Sequence, residues 1–578
     1  MPGKEELEKI EKQRKEWEEE TLAKALKRFR MEESGDRFYS PLDVKDFDFS
    51  EKVGFPGEYP FTSGIYASAG PQKGMMMGAP SSMVRAGMYS GYGTAENTRD
   101  YYKGVQARGF PGGPNMAFDL PTQIGLDSDD PRARGEVGKV GVAIDTLRDF
   151  EVVYEAFTDG KDLDKIASNW TVNPTANIIL AMYIALAEKR GIPQEKLRGT
   201  PQNEILKEIL ARGTQIFPIK PSMRLTRDTI VYCDQNMPLM NTLSVSGYHT
   251  REAGGSREQA LAFTLSNGIA YVQLGIDAGL NVDSFVHRMT FLSFCGGGME
   301  ILKEIAAQRA GRRMWAKIMR ERFGAKDPRS WIARISSAMI GNYSTTAQRP
   351  LNNLTRAVLG GVAGAMCGGI PAVFPPYDEP MQLGWSQESM QLSQDAMRII
   401  HSEAKLCDVI DPFAGSYYME FLTDQIEAET WEIIKKIDDM GGMVAALEKG
   451  WPQRELAKSA HEFQHQIETG EKMIVGVNAF VGEQELEVET QRMVPDPYDP
   501  QKRAQAEEQQ LASLAEVKRG RDEQAVEEAL RRLKEVASDE NANTIPPLVE
   551  AVKAYATVGE MTKTLKEVFG EFRDYGGL

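Results

Sequence analysis

The sequence predicts an α/β fold built on eight parallel strands, and three observations carry that prediction. Between residue 115 and about residue 415, eight short strand-like pieces alternate with helix-length segments. Strands interleaved with helices imply a parallel sheet, because a crossover element must return the chain to the same end each time. Ahead of this region, residues 3–35 are highly charged with apolar residues at helical spacing. Past Tyr417 the strand signals stop and helical ones take over. Eight such units are the pattern of a (β/α)8 TIM-type barrel, here over residues 51–430. An N-terminal helical arm at 1–50 precedes it and a C-terminal helical region at 431–578 follows.

In the arm, Leu7, Ile10, Trp17, Leu22, Leu26 and Phe29 fall roughly on one stripe. That pattern suits either a solvated helix or a surface for a partner helix or second copy. Residues 36–65 turn often, at Pro41, Pro56, Gly57 and Pro60, and read as an extended wrapping segment. A Gly-, Pro- and Met-rich patch at 69–80 follows, of a kind that adapts to irregular apolar surfaces or stays mobile. The strand pieces are 115–120, 166–172, 200–203, 243–248, 289–294, 333–339, 372–375 and 409–411. Clear helices stand between several of them, at 175–190, 298–320 and 388–407. Further helices are expected at 424–439, 443–449, 453–469 and 546–572, with a long charged helix or helix pair over 500–538. A short strand pair is expected at 472–489.

Within the strands, Asn169, Thr171 and Asn173 alternate with Trp170 and Val172, and Ser244 and Ser246 with Leu243 and Val245. A barrel usually fills its axis with Val, Ile and Leu. A small polar face suggests that something hydrophilic passes along it. The stretch Asn241 to Gly254 is the most informative in the chain. Gly247 breaks the strand and delivers Tyr248 and His249 to its carboxyl end, with Glu252 three residues on and a helical run from Arg257. A phenol, an imidazole and a carboxylate at a strand end have the makings of a catalytic site. The alternative is a buried Tyr and a surface His in a connecting loop.

A net charge of −16 argues against a generic nucleic-acid or anionic-membrane binder. The charged N-terminus does not read as a signal peptide, and no apolar run reaches membrane-spanning length. Cys233, Cys295, Cys367 and Cys407 lie far apart with no metal-like spacing, so reduced thiols in a cytoplasmic protein are expected and a metal site is not. There is no phosphate-binding loop, dinucleotide fingerprint or nucleophile elbow.

Several longer strings carry a resemblance. They are Met116-Ala-Phe-Asp-Leu-Pro-Thr-Gln-Ile-Gly, Pro201-Gln-Asn-Glu-Ile-Leu-Lys-Glu208, Ser246-Gly-Tyr-His-Thr-Arg-Glu-Ala-Gly254, Ile410-Asp-Pro-Phe-Ala-Gly-Ser-Tyr-Tyr418 and Val475-Gly-Val-Asn478. In register from about residue 55 onward, the chain resembles the large subunit of the methylmalonyl-CoA mutase family. That family rearranges acyl-CoA thioesters by a radical 1,2-shift dependent on adenosylcobalamin, in a barrel threaded by the CoA arm. The chain stops at Leu578 without an Asp-x-His-x-x-Gly cobalamin motif. The resemblance therefore implies the acyl-CoA-binding subunit of a split enzyme, partnered by a small cobalamin-binding subunit in a heterotetramer or other oligomer.

Residue by residue, the resemblance implies that Tyr89 wedges between substrate and the cofactor's adenosyl group. Tyr248 and His249 match the family's catalytic Tyr-His pair, His249 facing the thioester carbonyl. Gln202 and Arg212 match acyl-group contacts, Arg212 being the partner of a substrate carboxylate. Asn241, Arg288, Arg85 and Asn115 match further substrate and CoA contacts, and Glu252, Glu379 and Ala143 match the cofactor side. Ala117 stands where 2-hydroxyisobutyryl-CoA mutases carry an Asp, which disfavours that substrate. The chain also departs from the family around 69–80, at Gly87, near Arg334 and over 372–379. Those departures imply an acyl group bulkier or less polar than that of methylmalonyl-CoA, while the retained Arg212 implies a substituted dicarboxyl-CoA. An ordinary methylmalonyl-CoA mutase large subunit and a non-catalytic barrel scaffold stand as alternatives.

Overall fold

The computed structural model describes residues 3–29, 38–44, 46–67, 89–107, 113–158, 162–294, 296–335, 338–339, 342–367, 372–373, 376–381, 387–482 and 500–573. The patch at 69–80, Arg85, Gly87, Cys295 and part of the altered segments near 336 and 374 lie outside them.

The fold is α/β. Its strands are β1 (Tyr89–Ser90), β2 (Asn115–Ala117), β3 (Ala167–Thr171), β4 (Arg198–Pro201), β5 (Leu243–Ser246), β6 (Met289–Ser293), β7 (Ala338–Met339) and β8 (Ala372–Val373). All recorded pairings are parallel. β1 to β4 pair in chain order, as do β5 with β6 and β7 with β8. Between these sets, Asn241 N donates to Gly199 O at 2.9 Å and Ser244 N to Gln202 O at 2.9 Å. Phe291 N donates to Arg334 O at 2.9 Å, and Phe291 bridges Ile335. Each strand thus follows its sequence neighbour across the sheet.

The strand set differs from the sequence reading at both ends. Tyr89–Ser90 is a strand that the count from residue 115 omitted. Residues 409–411 are not a strand: Asp411 has a φ of 45° and its carboxylate accepts from Arg309 Nε at 3.0 Å, so the segment turns. β4 begins and ends two residues earlier than expected, so Gln202 and Asn203 lie just past it, their N–H groups donating to Trp170 O and Val172 O at 3.0 Å each. In place of a strand pair at 472–489, the described part carries a single bridge, Val475 to Ala479, in a turn. Tyr248–Glu252 is one helical turn, and the helix after it runs Arg257–Asp277.

The polar alternation on the strands reports their two faces. Trp170 and Val172 sit in a core with Phe150, Tyr154 and Tyr183, the Trp170 indole donating to Tyr154 OH at 3.1 Å. Asn169 and Thr171, on the other face, are half-buried. Leu243, Val245 and Phe291 likewise pack into a second core with Phe263 and Trp315 from the covering helices. The helix Ala176–Lys189 is buried over every residue from Ala176 to Ala187. A helix apolar on all sides needs cover on both, and Ile545–Lys553 packs on it and shares its core. The C-terminal helices Pro500–Gly520 and Glu523–Ser538 form the expected pair.

Three fully buried arginines on the helix Ile301–Lys317 fasten the outer elements. Arg309 pairs with Glu420 at 2.7 Å as well as with Asp411, and Arg313 pairs with Asp424 at 2.7 Å. Arg312 Nε donates to Phe61 O at 2.9 Å, drawing in the wrapping segment. Each guanidinium is met by carboxylates or carbonyls, as burial of that charge requires. In the N-terminal arm, Leu7, Ile10, Trp17, Leu22 and Leu26 are all incompletely buried, and Trp17 keeps 40% of its surface. No helix among the described residues is long and apolar enough to cross a membrane.

Candidate active site

The chain leaves β5 through Gly247, where only glycine fits. A Cβ there would lie 1.6 Å from Phe294 O and 2.3 Å from Thr264 Oγ1. The helical turn that follows brings the Tyr248 and His249 rings within 3.8 Å, tilted by 34°. His249 is buried, and its Nδ1 has no hydrogen-bond partner among the described residues. Burial, then the charges of Lys207 and Arg212, push the imidazole pKa well below 6.5, so the ring is neutral at physiological pH. This excludes the surface-His alternative. It also leaves a buried polar atom that a ligand would satisfy.

Beside His249, at the carboxyl ends of β3 and β4, lies a polar network with almost no solvent contact. Lys207 is 1% exposed, and the Glu204 and Glu208 side chains are fully buried. Lys207 Nζ donates to Glu208 Oε1 and to Gln202 Oε1, each at 3.0 Å. Asn173 Nδ2 donates to Gln202 Oε1 at 2.9 Å, and Arg212 Nη1 to Glu208 Oε1 at 3.0 Å. Burial would raise the Glu208 carboxyl, but Lys207 and Arg212 outweigh it and leave it below the usual range. Glu204 behaves oppositely. It accepts from Ser246 N at 3.0 Å and Asn267 Nδ2 at 2.9 Å, yet burial pushes it up to about 8 against the opposing pull of Lys207, 3.9 Å away. Asn267 Oδ1 is itself buried without a partner, and a protonated Glu204 is the group that would satisfy it once the amide turns over.

The amino ends of the strands are different. Arg198 opens β4, Arg288 precedes β6 and Arg334 precedes β7. Among the described residues, no carboxylate lies within ion-pair distance of any of the three. Burial, followed by repulsion from Arg334, Arg329 and Arg198, lowers the Arg288 pKa, and its Nε is buried without a partner. Arg334 Nη1 donates to Asn241 Oδ1 at 3.0 Å, and Asn241 Nδ2 to Thr200 Oγ1 at 2.9 Å. Thr200 is in register with Asn169, and Asn169 with Asn115. A polar row therefore crosses three strands and reaches Asn241, ahead of β5, on the face away from the helices.

Most residues expected from the sequence fall at one end or the other of this face. Tyr248, His249, Gln202 and Arg212 gather at the carboxyl end; Asn115, Asn241 and Arg288 lie toward the amino end. Tyr89 forms β1, its backbone in register with Asn115. Ala143 is buried just past β2, where its N donates to Gly93 O at 3.1 Å. Glu252 is exposed after β5 and Glu379 half-buried after β8. Ala117 is buried at the end of β2. Arg212 was expected to face a substrate carboxylate, and its Nη1 rests on Glu208. Sequence reasoning missed Glu204, Lys207 and Glu208. Helical spacing of charges from 204 to 212 reads as a solvated face, and only the unbroken string Gln202–Glu208 hinted otherwise.

A family model for methylmalonyl-CoA mutase matches residues 28–571. The chain belongs to the methylmalonyl-CoA mutase family. It is 38% identical over 581 residues to the 2-hydroxyisobutanoyl-CoA mutase large subunit of Aquincola tertiaricarbonis, covering 98% of this chain and 97% of that one. It is 38% identical over 528 residues to the methylmalonyl-CoA mutase of Escherichia coli, covering 91% of this chain and 70% of that protein. The human mitochondrial methylmalonyl-CoA mutase is 37% identical over 536 residues, covering 93% and 67%. Membership in the mutase family makes this chain an enzyme of the isomerase class.

Proposed function

We propose that this chain is the acyl-CoA-binding subunit of an adenosylcobalamin-dependent mutase acting with a separate cobalamin-binding subunit. In this reading the eight strands close into a (β/α)8 barrel and the CoA arm lies along the polar face. The observation that carries it is the chemistry of the two strand ends: uncompensated arginines at one, a donor-rich buried network with a neutral His at the other. Arg198, Arg288 and Arg334 suit the phosphates of CoA, since like charges gathered without acids call for a polyanion. From Asn241 to Gly247 the strand rise of about 3.3 Å per residue spans roughly 20 Å, a distance suited to an extended pantetheine chain.

At the carboxyl end, Lys207 and Arg212 face one ionised carboxylate, Glu208, while Glu204 keeps its proton and His249 is neutral. The resulting surplus of positive charge favours an acyl group carrying its own carboxylate, hence a dicarboxyl-CoA. The departures over 69–80, near Arg334 and over 372–379 favour one bulkier than methylmalonyl-CoA. The buried His249 Nδ1, with Ala143, Glu252 and Glu379 past the carboxyl ends of β2, β5 and β8, fits a broad cofactor laid across that end. Adenosylcobalamin, when bound, supplies the radical that starts the rearrangement. The chain's own residues hold the thioester, keep donors aimed at its oxygens and keep water out. Tyr89 and Tyr248 would stand against the acyl group. The relative named as a large subunit, matched over nearly its whole length, supports the separate partner.

The test combines this chain with its cobalamin subunit and adenosylcobalamin, then offers methylmalonyl-CoA, 2-ethylmalonyl-CoA and 2-hydroxyisobutanoyl-CoA. Isomer formation is followed by chromatography and mass spectrometry, with low-temperature EPR for a signal that requires the thioester. Fastest turnover of 2-ethylmalonyl-CoA is expected. Preference for the hydroxy monoacid would overturn the dicarboxyl reading, and no isomer from any ester would overturn the mutase reading.

A further inference from the structure

Lys207 adds positive charge to the carboxyl end, but no contact to the reacting groups has been assigned to it. Its surroundings nevertheless dictate what the site can present. A lysine ammonium has donors and no acceptor, so the Gln202 atom it meets at 3.0 Å is the carbonyl oxygen. Asn173 Nδ2 donates to the same oxygen at 2.9 Å. With Oε1 held twice, the Gln202 amide cannot turn over, and its Nε2 faces away from both donors. Among the described residues, that Nε2 donates to none. Lys207 also shares Glu208 Oε1 with Arg212 Nη1, each at 3.0 Å, so one ammonium fixes two neighbours.

We propose that Lys207 is a positioning residue through which Gln202 and Arg212 present only donors to the acyl group: it locks Gln202 with its N–H groups toward the acyl group and, through Glu208, sets the Arg212 guanidinium. This rests on the mutase reading above and deepens it. Acyl groups with acceptor oxygens at that end are accepted, and those that would offer an N–H or O–H to Gln202 are rejected, because a donor meeting a donor leaves both buried groups unsatisfied. No other described side chain touches both Gln202 and Glu208 except Asn173, whose Nδ2 reaches Gln202 and Glu208 as well but carries no charge. Asn173 is itself held, its Oδ1 accepting from Glu204 N at 3.0 Å, so the two donors fix the sense of the Gln202 amide together and Lys207 is the charged one of the pair.

The test uses the two-subunit holoenzyme and whichever of methylmalonyl-CoA and 2-ethylmalonyl-CoA the wild type isomerises. Lys207→Met is expected to lower kcat by about 10- to 100-fold, less than the roughly 100- to 1,000-fold for removing an oriented donor outright, because the Gln202 amide is retained and only less firmly held. The affinity for CoA alone, bound at the other strand ends, should stay within about 3-fold. Gln202→Leu should lower kcat by about 100-fold, and the double variant should be no worse than the poorer single, because Lys207 acts through Gln202. Lys207→Arg, which keeps a donor-only cation, should recover most of the lost rate.

Independent, multiplying losses in the double variant would overturn the proposal, as would full activity in Lys207→Met. Where Lys207→Met does not fold, Gln202→Glu decides. Its carboxylate would be held by Asn173 and Lys207, so the protein should fold and kcat should fall as far as in Gln202→Leu. Retained activity there overturns the assigned orientation. A wild type inactive on both esters overturns the mutase reading and takes this inference with it, whereas an active wild type with multiplying variants overturns the positioning role alone.

Discussion

Replacing Glu204 by glutamine isolates the proton that burial places in the site. Glu204 has no exposed surface, and burial pushes its carboxyl from 4.5 up to about 8, against the opposing pull of Lys207. Between those values the folded protein holds a proton that the unfolded chain has released. The associated stability is fully present below pH 4.5 and is lost as pH rises through about 8. At about 1.4 kcal/mol per pH unit, the whole span is worth on the order of 5 kcal/mol, and the interval from about pH 6 to about pH 7.5 roughly 2 kcal/mol. Glutamine keeps the shape, does not titrate, and offers an N–H toward the unpartnered Asn267 Oδ1. Urea titrations of both proteins at about pH 6 and about pH 7.5 should show the wild type losing about 2 kcal/mol more than Glu204→Gln across that interval. Asp119, Asp145 and Asp149 are also raised by burial, but they are common to both proteins and cancel in the comparison. Equal losses would refute a protonated carboxyl at this position.

His249→Ala should lower turnover by about 100- to 1,000-fold, the scale of one oriented hydrogen bond in a water-excluded site, with CoA binding unchanged; steady-state kinetics check it, and unaltered turnover removes His249 from the site. Arg288→Met should raise the thermal midpoint, because a buried guanidinium nitrogen without a partner and its repulsion from Arg198 and Arg334 both disappear. The same variant should raise KM for the acyl-CoA at least about 10-fold and flatten its salt dependence. A lower midpoint with unchanged KM would count against the anion site. Gln510 Nε2 donates to Asp145 Oδ2 at 2.7 Å and to Asp149 Oδ1 at 3.1 Å, joining the helix Pro500–Gly520 to the segment beyond β2. Gln510→Leu should therefore cost about 1–3 kcal/mol in a melting experiment, the price of buried acceptors left unmet. Wild-type stability would show that the contact carries nothing.

The strand alternation was legible because a pleat forces it. Trp170 and Val172 could only serve a covered face while Asn169 and Thr171 served the other, and the cores bear this out. The Tyr-His pair was legible because Gly247 so plainly ends a strand. Residues 409–411 misled because an apolar pair before an acid resembles a buried strand, while Asp411 is held by an arginine a hundred residues earlier in the chain. Tyr89–Ser90 escaped notice because two residues between a Met-rich patch and Gly91 carry no periodicity to detect.

Local pattern by itself determined the class of the protein: alternating strands and helices, the charged arm, the helical C-terminal region, and strings specific enough to imply the family. Those depend on short-range periodicity and residue order, which the chain carries wherever it folds. Tertiary structure alone decided that Glu204, Lys207 and Glu208 are buried beside His249, and that Arg198, Arg288 and Arg334 meet at the opposite strand ends. Charge is written in the sequence, but its solvation is not. Whether a lysine is a solvated surface group or the buried clamp on a glutamine depends on which distant segments cover it.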